Sequence, residues 1–220
     1  MRKIVAGAFV SLEGVMQAPG GPEEDPTGGF TLGGWTFHYW DEAMGEVMGE
    51  LFSRPYDLLL GRKTYEIFAA HWPYSTEEPI ASQFNAVTKY VATRSNPPLT
   101  WQNSVALSGD VPAQIAALKQ GDGPDLLIQG SSVLIQSLLR HALIDEFSLL
   151  VFPVLLGGGK RLFGDGTVPT GLKLISSRTS TTGVVMSKYV PAGAVPTGSF
   201  ALEQPTEAEL ARRAKMEAED

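Results

Sequence analysis

Apolar residues along the chain form short, nearly continuous runs, which are typical of β-strands buried on both faces of a sheet. Five such runs lie at residues 3–10, 56–61, 89–93, 125–130 and 146–155. Stretches of helical character separate them, at residues 41–52, 63–70, 79–86, 111–120 and 131–141. Asp110 and Ser131 stand where the N-caps of two helices are expected. The alternation of strands and helices predicts an α/β sheet.

The end of the patterned region differs from the rest. Two further strands, at residues 172–180 and 182–190, have no helix between them and turn at Thr182 and Gly183. This pattern predicts a hairpin, so the sheet should finish antiparallel. We therefore expect one domain over residues 1–190, with a mixed, mainly parallel sheet and helices on both faces.

Two segments do not follow this pattern of strands and helices. The glycine-rich segment, residues 14–34, holds seven glycines and three prolines, and such long loops are either lids over a binding site or inert excursions. The tail, residues 191–220, contains a capping box at Thr206 and Glu209 that predicts a short helix. The tail is either a solvated appendage or a segment that docks on a partner subunit through Phe200, Leu202 and Leu210.

Composition narrows the protein class. The 220 residues, 43% hydrophobic and 19% charged, exclude a stapled mini-protein and a wholly disordered chain. The chain has no cysteine and three histidines, so disulfides and thiolate zinc sites are excluded and no metal site is expected. No apolar run reaches the roughly 18 residues of a membrane helix. We expect a cytoplasmic protein that binds no membrane.

Charge indicates where a ligand would bind. The net charge of −7 argues against a nucleic-acid surface. Residues 1–50 carry two basic and eight acidic side chains, whereas residues 51–190 carry twelve basic and ten acidic ones. An anionic ligand is therefore expected at the middle of the chain.

The junction after the second predicted strand has the chemistry of a phosphate site. Gly61 ends the strand, and Arg62, Lys63 and Thr64 begin the helix. Free backbone N–H groups, the positive end of the helix dipole, two cations and a hydroxyl are brought together there.

Two other strand ends repeat the design. Gly130, Ser131 and Ser132 open a helix whose N–H groups suit a pyrophosphate, and Thr93 and Arg94 follow a third strand. Open α/β sheets bind ligands beyond the carboxyl ends of their strands, so three such ends predict a binding edge.

These motifs, in this order, resemble the dihydrofolate reductase superfamily. The residues concerned are Gly61-Arg62-Lys63-Thr64-Tyr65-Glu66, Thr93-Arg94, Gly130-Ser131 and Ser11-Leu12-Glu13-Gly14. Over residues 2–190 the chain looks most like the reductase domain of the bifunctional riboflavin-biosynthesis deaminase-reductase and its stand-alone relatives. The resemblance implies NADPH as cofactor and reduction of a C=N or C=O bond in a pterin-like or aminopyrimidine-like compound, in a protein that we expect to be a homodimer.

The resemblance also implies roles for individual residues. The cofactor phosphates would lie at Gly61, Arg62, Lys63 and Thr64. The adenosine 2′-phosphate would be held by Thr93 and Arg94. The two arginines, Arg62 and Arg94, suit a phosphate dianion because they form charge-assisted hydrogen bonds. Gly130, Ser131 and Ser132 would contact the pyrophosphate or nicotinamide side. Ala8 and the turn from Ser11 to Gly14 would lie against the nicotinamide, and Phe152 and Pro153 near the substrate.

The chain departs from the family pattern at two positions. Glu13 stands where the family commonly has Asp, and Ser131 where it commonly has a second Gly. The side chain of Glu13 is longer than that of Asp, and Ser131 lets a ligand approach the backbone less closely than Gly would. We expect both differences to change the geometry of the site. The deaminase half, with its zinc ligands, is missing, so no deaminase activity is expected.

The source of the proton is open at this point. Asp41 and Glu42 begin the helix that carries the acid in dihydrofolate reductases, and Glu13 is the third candidate. Acids at a helix start also simply complement the helix dipole. Trp35 and Trp40 could stack on a flat heterocycle or pack under the glycine-rich segment.

Two alternatives to a reductase remain. One is a non-catalytic protein that binds a dinucleotide, flavin or pteridine, because one fold hosts many functions. The other is a structural dimer-forming protein with a vestigial pocket, which would bind no dinucleotide.

Overall fold

The fold is an eight-stranded mixed sheet, described by a computed structural model over residues 1–95 and 97–219. Its strands are β1 (Ile4–Ser11), β2 (Tyr56–Gly61), β3 (Lys89–Ala92), β4 (Ser104–Leu107), β5 (Asp125–Ile128), β6 (Glu146–Phe152), β7 (Leu172–Thr179) and β8 (Val185–Pro191). They lie in the order β4-β3-β2-β5-β1-β6-β8-β7.

Strands β1 to β6 are paired parallel, and β8 joins β6 antiparallel with β7 outside it. The predicted mainly parallel sheet with a C-terminal hairpin is therefore confirmed. The sequence did not predict β4, because this strand is four residues long at the sheet edge and its Val105 is 45% exposed.

Helices cover both faces of the sheet. These helices are α1 (Glu42–Phe52), α2 (Arg62–His71), α3 (Ile80–Ala86), α4 (Val111–Gln120) and α5 (Ser132–Arg140), and a further helix, α6 (Glu207–Glu219), lies in the tail. Helices α1 to α3 pack on one face around buried residues such as Met44, Tyr65 and Phe84. Helices α4 and α5 pack on the other face through Ile115 and Ile135.

The predicted N-caps are confirmed. The Asp110 carboxylate accepts from the Ala113 N–H at 3.1 Å, and the Ser131 hydroxyl accepts from the Leu134 N–H at 3.4 Å. In the tail, Thr206 accepts from the Glu209 N–H at 3.3 Å, but the Glu209 side chain pairs with arginines of α6 instead of closing the capping box.

The tail helix α6 contains no buried residue. Phe200 is fully exposed, and Leu202 and Leu210 are 70% and 52% exposed. The division of the chain into residues 1–190 and 191–220, and the docking of the tail on a partner, stay predictions. Among the helices that the structure describes, none has the length and apolar character needed to span a membrane.

The start of the glycine-rich segment is anchored by the backbone. The Met16 N–H donates to the Lys160 carbonyl at 2.8 Å, and the Leu162 N–H donates to the Gly14 carbonyl at 2.9 Å. The segment is thereby tied to the 156–162 loop, which follows β6.

Apolar packing strengthens the same contact. Val15, Ala18 and Phe30 are buried in a small cluster of their own. Gly159 has φ +116°, and a Cβ there would lie 2.7 Å from Val15 and 3.1 Å from the Phe30 ring. The segment is a packed loop, and its role as a lid over a binding site stays a prediction.

Lys89 of β3 is fully buried. Its Nζ donates at 2.9 Å to the carbonyls of Asn85 and Val87 at the end of α3, and it lies 4.3 Å from the centroid of the Trp101 ring. Burial lowers the pKa of Lys89 from 10.5 to about 8.

Replacing Gly159 tests the packing of the glycine-rich segment. We expect Gly159→Ala to lower the free energy of unfolding by about 1–3 kcal/mol, because the new Cβ would overlap Val15 and the positive φ strains alanine. Gly158→Ala is the matched control, since a Cβ there meets open space. Urea denaturation measures both, and equal effects of the two substitutions would contradict this packing.

The buried Lys89 predicts a pH dependence of stability. Between pH 8 and 10.5 the unfolded chain keeps the Lys89 proton that the folded chain has lost, so stability rises with pH. Relative to Lys89→Met, the wild-type protein should gain about 2–4 kcal/mol of unfolding free energy over this window. Urea denaturation at stepped pH measures the gain. Lys173→Met, at an exposed position of β7, should remove none of it, and a flat difference for Lys89→Met would refute the prediction.

Candidate functional site

The predicted site residues lie at one edge of the sheet. Because β1, β2, β3, β5 and β6 are parallel, their carboxyl ends point the same way. Ser11 ends β1, Gly61 ends β2 and Phe152 ends β6. Thr93 and Gly130 follow β3 and β5 within two residues. The edge therefore brings together residues that are up to 141 positions apart in the chain.

In the middle of this edge the pairing of β1 with β5 ends early, and the gap that this leaves beside β1 is called the crevice here. Strand β1 pairs with β5 only from Ile4 to Ala6, whereas it pairs with β6 as far as Ser11. From Gly7 onward, β1 therefore has a strand on one side only among the described residues, and Ala8 lies in this part. Such switch points, beyond the carboxyl ends of strands, are where open α/β sheets bind ligands.

Two glycines let the starts of α2 and α5 approach each other. The Gly61 N–H donates to the Gly130 carbonyl at 3.4 Å, and a Cβ on Gly61 would overlap the Ser131 side chain. Gly130 has φ +115°, and a Cβ there would lie 3.0 Å from Thr64 Oγ1. The Gly130–Ser131 peptide bond is cis. The two phosphate motifs predicted from the sequence thus form one continuous surface.

This surface offers hydrogen-bond donors. Helix α2 begins after Gly61 without a side-chain cap, so no side chain occupies its first N–H groups. Thr64, Ser131 and Ser132 are half-buried hydroxyl residues beside the same helix starts. Two adjacent helix N-termini with nearby hydroxyls suit a phosphate or pyrophosphate group.

Three cations border the surface. Arg62 is half-buried and binds Glu66 one helical turn away, with 2.5 Å between Nη1 and Oε1. Lys63 and Arg94 are exposed, and neither makes an ion pair within residues 1–95 and 97–219. The Thr93 hydroxyl accepts from the Ser95 N–H at 3.2 Å, which fixes the turn that presents Arg94. The positive charge lies at the rim of the edge.

Glu13 ties two loops together. Its carboxylate accepts from the N–H groups of Leu156 at 2.6 Å and Gly157 at 2.9 Å, and from the Ser11 hydroxyl at 2.9 Å. Burial alone would raise the pKa of Glu13, but these hydrogen bonds outweigh it and lower the pKa. The carboxylate is therefore an ionised acceptor, and its part in proton transfer stays a prediction.

Asp41 has a similar structural task. It caps α1 by accepting from the Met44 N–H at 3.0 Å, and it accepts from the Thr181 hydroxyl and N–H, both at 2.7 Å. The Thr181 hydroxyl first, and then the Met44 N–H, lower the pKa of Asp41. Glu42, the next residue, is exposed, and no hydrogen bond engages its carboxylate in the part of the chain that the structure describes.

The four predicted substrate residues differ in exposure. Phe152 is fully buried, and the Trp35 ring packs edge-on against it at 5.1 Å while its Nε1 donates to the Gln17 carbonyl. Trp40 is 48% exposed and contacts Phe9 edge-on at 6.1 Å, and Pro153 is exposed. Trp40 and Pro153 therefore keep accessible surface, and all four substrate contacts stay predictions.

Gln17 is a residue of this region that no sequence pattern predicted. This buried side chain donates to the carbonyls of Asp25 and Thr27, both at 2.8 Å, and accepts from the Lys160 N–H at 2.9 Å. It lines a cavity of about 410 Å³ between the glycine-rich segment and the 156–162 loop. A glutamine in a loop belongs to no local sequence pattern from which this role could be predicted.

A metal centre has no support in the described residues. No group of three or more histidine, aspartate or glutamate side chains there could hold an ion. The site consists of hydroxyls, amides, cations and helix N-termini.

Known proteins resemble this chain in sequence and in structure. The chain is 26% identical over 196 residues to the uncharacterized protein YyaP of Bacillus subtilis (strain 168), covering 86% of this chain and 94% of YyaP. A putative riboflavin biosynthesis protein from Shewanella sp. PV-4 has a similar structure, with a TM-score of 0.61, 21% identity, and coverage of 86% of this chain and 99% of that one. Dihydrofolate reductase from Enterococcus faecalis, complexed with NADP(H), matches with a TM-score of 0.53 and 16% identity over 86% of this chain and 96% of that one.

These structures show that the fold is of the dihydrofolate reductase type, as predicted. The family model for the RibD C-terminal domain matches residues 2–186, which is nearly the whole sheet. The chain belongs to the RibD C-terminal domain family.

Proposed function

We propose that the protein is an NADPH-dependent reductase that transfers a hydride to a C=N or C=O bond of a small planar heterocycle. A pterin-like or aminopyrimidine-like compound, such as the substrates of dihydrofolate reductase or of 5-amino-6-(5-phosphoribosylamino)uracil reductase, is the proposed substrate class. The proposal rests on family membership and on the chemistry of the sheet edge.

One observation carries the proposal. The starts of α2 and α5 meet at Gly61 and Gly130, directly beside the crevice between β1 and β5. A dinucleotide has the matching layout, because its phosphates lie between two flat rings. The helix starts suit the phosphates, and the crevice suits a ring.

The residues present fit NADPH. The proposed phosphate contacts are Arg62, Lys63, Thr64 and the N–H groups of α2 and α5, and the proposed 2′-phosphate contacts are Thr93 and Arg94. Gly130, Ser131, Ser132, Ala8, Ser11 and Gly14 would border the pyrophosphate and the nicotinamide. NADPH supplies the hydride when it is bound, and Trp35, Trp40, Phe152 and Pro153 are the proposed substrate side.

The proton is proposed to come through one of three carboxylates. Glu13 and Asp41 have lowered pKa values and are held as acceptors by several donors. Glu42 is exposed and has no such partners in the described chain. Glu42 is therefore the proposed group that delivers the proton or holds the water that does, with Asp41 and Glu13 positioning the elements around it.

A second candidate is a non-catalytic binder of a dinucleotide, flavin or pteridine. The engagement of Glu13 and Asp41 in structural hydrogen bonds favours it, because a protein that only binds needs no proton donor. NADPH oxidation in the presence of pterins, flavins and aminopyrimidines discriminates between the two. Tight NADPH binding without turnover of any of them would favour the binder.

Assembly and location complete the proposal. A homodimer is supported by the edge strand β7, all of whose residues are exposed, including Leu174 and Ile175 at 51% and 54%. A long exposed apolar edge is a surface that proteins usually cover. We propose a cytoplasmic homodimer, in keeping with a reductase that draws on the cellular NADPH pool.

Cofactor choice tests the role of Arg94. NADPH should bind about 10-fold more tightly than NADH, because Arg94 offers a charge-assisted bond to the 2′-phosphate. Arg94→Ala should remove the preference and leave NADH binding nearly unchanged, as measured by calorimetry. Arg54→Ala, an exposed arginine before the amino end of β2, is the control that keeps the preference. Equal affinities in the wild-type protein would contradict the assignment.

The acid is tested by three conservative substitutions. Glu42→Gln should lower the single-turnover rate of NADPH oxidation, with a substrate that the wild-type protein accepts, by about 10²–10⁴-fold at unchanged NADPH affinity. Asp41→Asn should instead leave the rate nearly unchanged and lower stability, because Asn still caps α1 through its one carbonyl oxygen but no longer accepts from Thr181 with a second one. Glu13→Gln should loosen the two loops that it ties. Full rates in all three variants would place the proton source elsewhere.

A further inference from the structure

Gln129 stands at the mouth of the crevice. It follows the last residue of β5, Ile128, which pairs with Ala6 of β1 in the final rung of that parallel pairing. Its Nε2 is buried and has no hydrogen-bond partner in the described structure. No other hydrogen bond of its side-chain amide is found there either.

The amide lies against a glycine of β1. A Cβ on Gly7 would come within 2.7 Å of Gln129 Nε2 and 3.4 Å of Leu51 in α1. Glycine at position 7 leaves this space free for the Gln129 side chain in its present conformation. The amide therefore occupies the point where β1 loses its second neighbour, on the face of the sheet that α1 covers.

Gln129 is half-buried, and only its donor atom Nε2 is fully covered. A buried N–H donor without a partner is a rare and destabilising feature of native proteins. The amides of two other glutamines, Gln17 and Gln136, donate to backbone carbonyls. Among the described residues two buried side-chain polar atoms have no partner, Ser104 Oγ at the sheet edge and Gln129 Nε2, and of these Gln129 lies where a ligand is expected. Because the amide has no hydrogen bond to lose, its side chain can turn towards a ligand at the cost of packing alone.

We propose that Gln129 binds the amide or lactam group of the ligand in the crevice, as a specificity-determining residue. This proposal rests on the proposed reductase function. A glutamine amide presents one donor and one acceptor side by side, which matches the C=O and N–H of a second amide. Two groups of the proposed reaction have this chemistry: the carboxamide of the nicotinamide and the lactam of an oxo-pterin or uracil-type ring.

The amide is also neutral, which limits what it selects. No carboxylate or cation of the described chain hydrogen-bonds to its Nε2, and a neutral amide pairs best with an uncharged ligand group. The cations Lys63 and Arg94 lie on the rim, at the helix start and strand end that suit phosphates. Gln129 thus assigns the inner crevice to an uncharged ring that carries a carbonyl.

Three variants of the full chain test this role. Gln129→Met keeps size and flexibility but removes the amide, and Gln129→Glu keeps the acceptor but loses the donor. Gln136→Met is the matched control, because the Gln136 amide donates to the Leu162 carbonyl at 3.1 Å within the protein. Thermal unfolding of the ligand-free protein should show that Gln129→Met raises Tm by about 2–8 °C, whereas Gln136→Met lowers it.

Binding measurements distinguish the two sources of the carbonyl. If the carboxamide is the partner, both Gln129 variants weaken NADPH binding about 5- to 30-fold, but leave 2′-phospho-ADP-ribose, which lacks the nicotinamide, unchanged. If the lactam is the partner, they weaken pterin binding to the NADP⁺-loaded protein by the same factor. Binding of 2,4-diaminopteridine, which has an amine in place of the carbonyl, then stays unchanged. Gln136→Met should alter none of these affinities.

The outcomes distinguish the proposed role of Gln129 from the proposed reductase function. If Gln129→Met binds all four probes as the wild-type protein does, Gln129 is a packing residue and the proposal is overturned, while the reductase proposal stands. If Gln129→Met lowers Tm as Gln136→Met does, the amide has a partner within the protein and the proposal is also overturned. If the wild-type protein binds none of the four probes, the reductase proposal and this one fail together.

Discussion

The unequal pairing of β1 is the constraint on which the site depends. The strand keeps β6 beside it over seven rungs, from Val5 to Ser11, but keeps β5 over only three. The backbone of β1 is therefore held firmly on one side and freed on the other. The crevice is therefore a consequence of the sheet topology, and the surrounding loops only line it.

The close contact between two helix starts, and two carboxylates that accept hydrogen bonds from distant loops, give this crevice a defined surface. Gly61 and Gly130 bring two helix starts into contact, which side chains at either position would prevent. Glu13 and Asp41 each join segments about 140 residues apart, Glu13 through the N–H groups after β6 and Asp41 through Thr181. The pKa values of Glu13 and Asp41 are lowered because both carboxylates accept these hydrogen bonds. Acidic residues near a crevice are thus here first of all structural ties between loops.

The sequence predicted what local interactions determine. The apolar strands, the helices, their caps at Asp110 and Ser131 and the C-terminal hairpin depend on neighbouring residues, and all were confirmed. Strand β4 was missed because four residues at a sheet edge carry little pattern. The partners of Glu13, Gln17 and Gln129 depend on which loops meet in space, and no spacing along the chain records that.

In the proposed reductase, the layout of charge would limit where proton transfer takes place. Lys63 and Arg94 lie on the rim, and the groups nearest to Gly7 in the inner crevice are the neutral Gln129 amide and the Leu51 side chain. An ionised carboxylate placed inside would lose its hydration without a partner, which is costly. In the proposed reductase, a proton for a bound heterocycle would then come from the margin of the crevice, either directly or through water. Asp41 and Glu13 are held as acceptors by several donors, whereas Glu42 at the start of α1 has no such partner in the described chain, which is why the proposal gives it the proton.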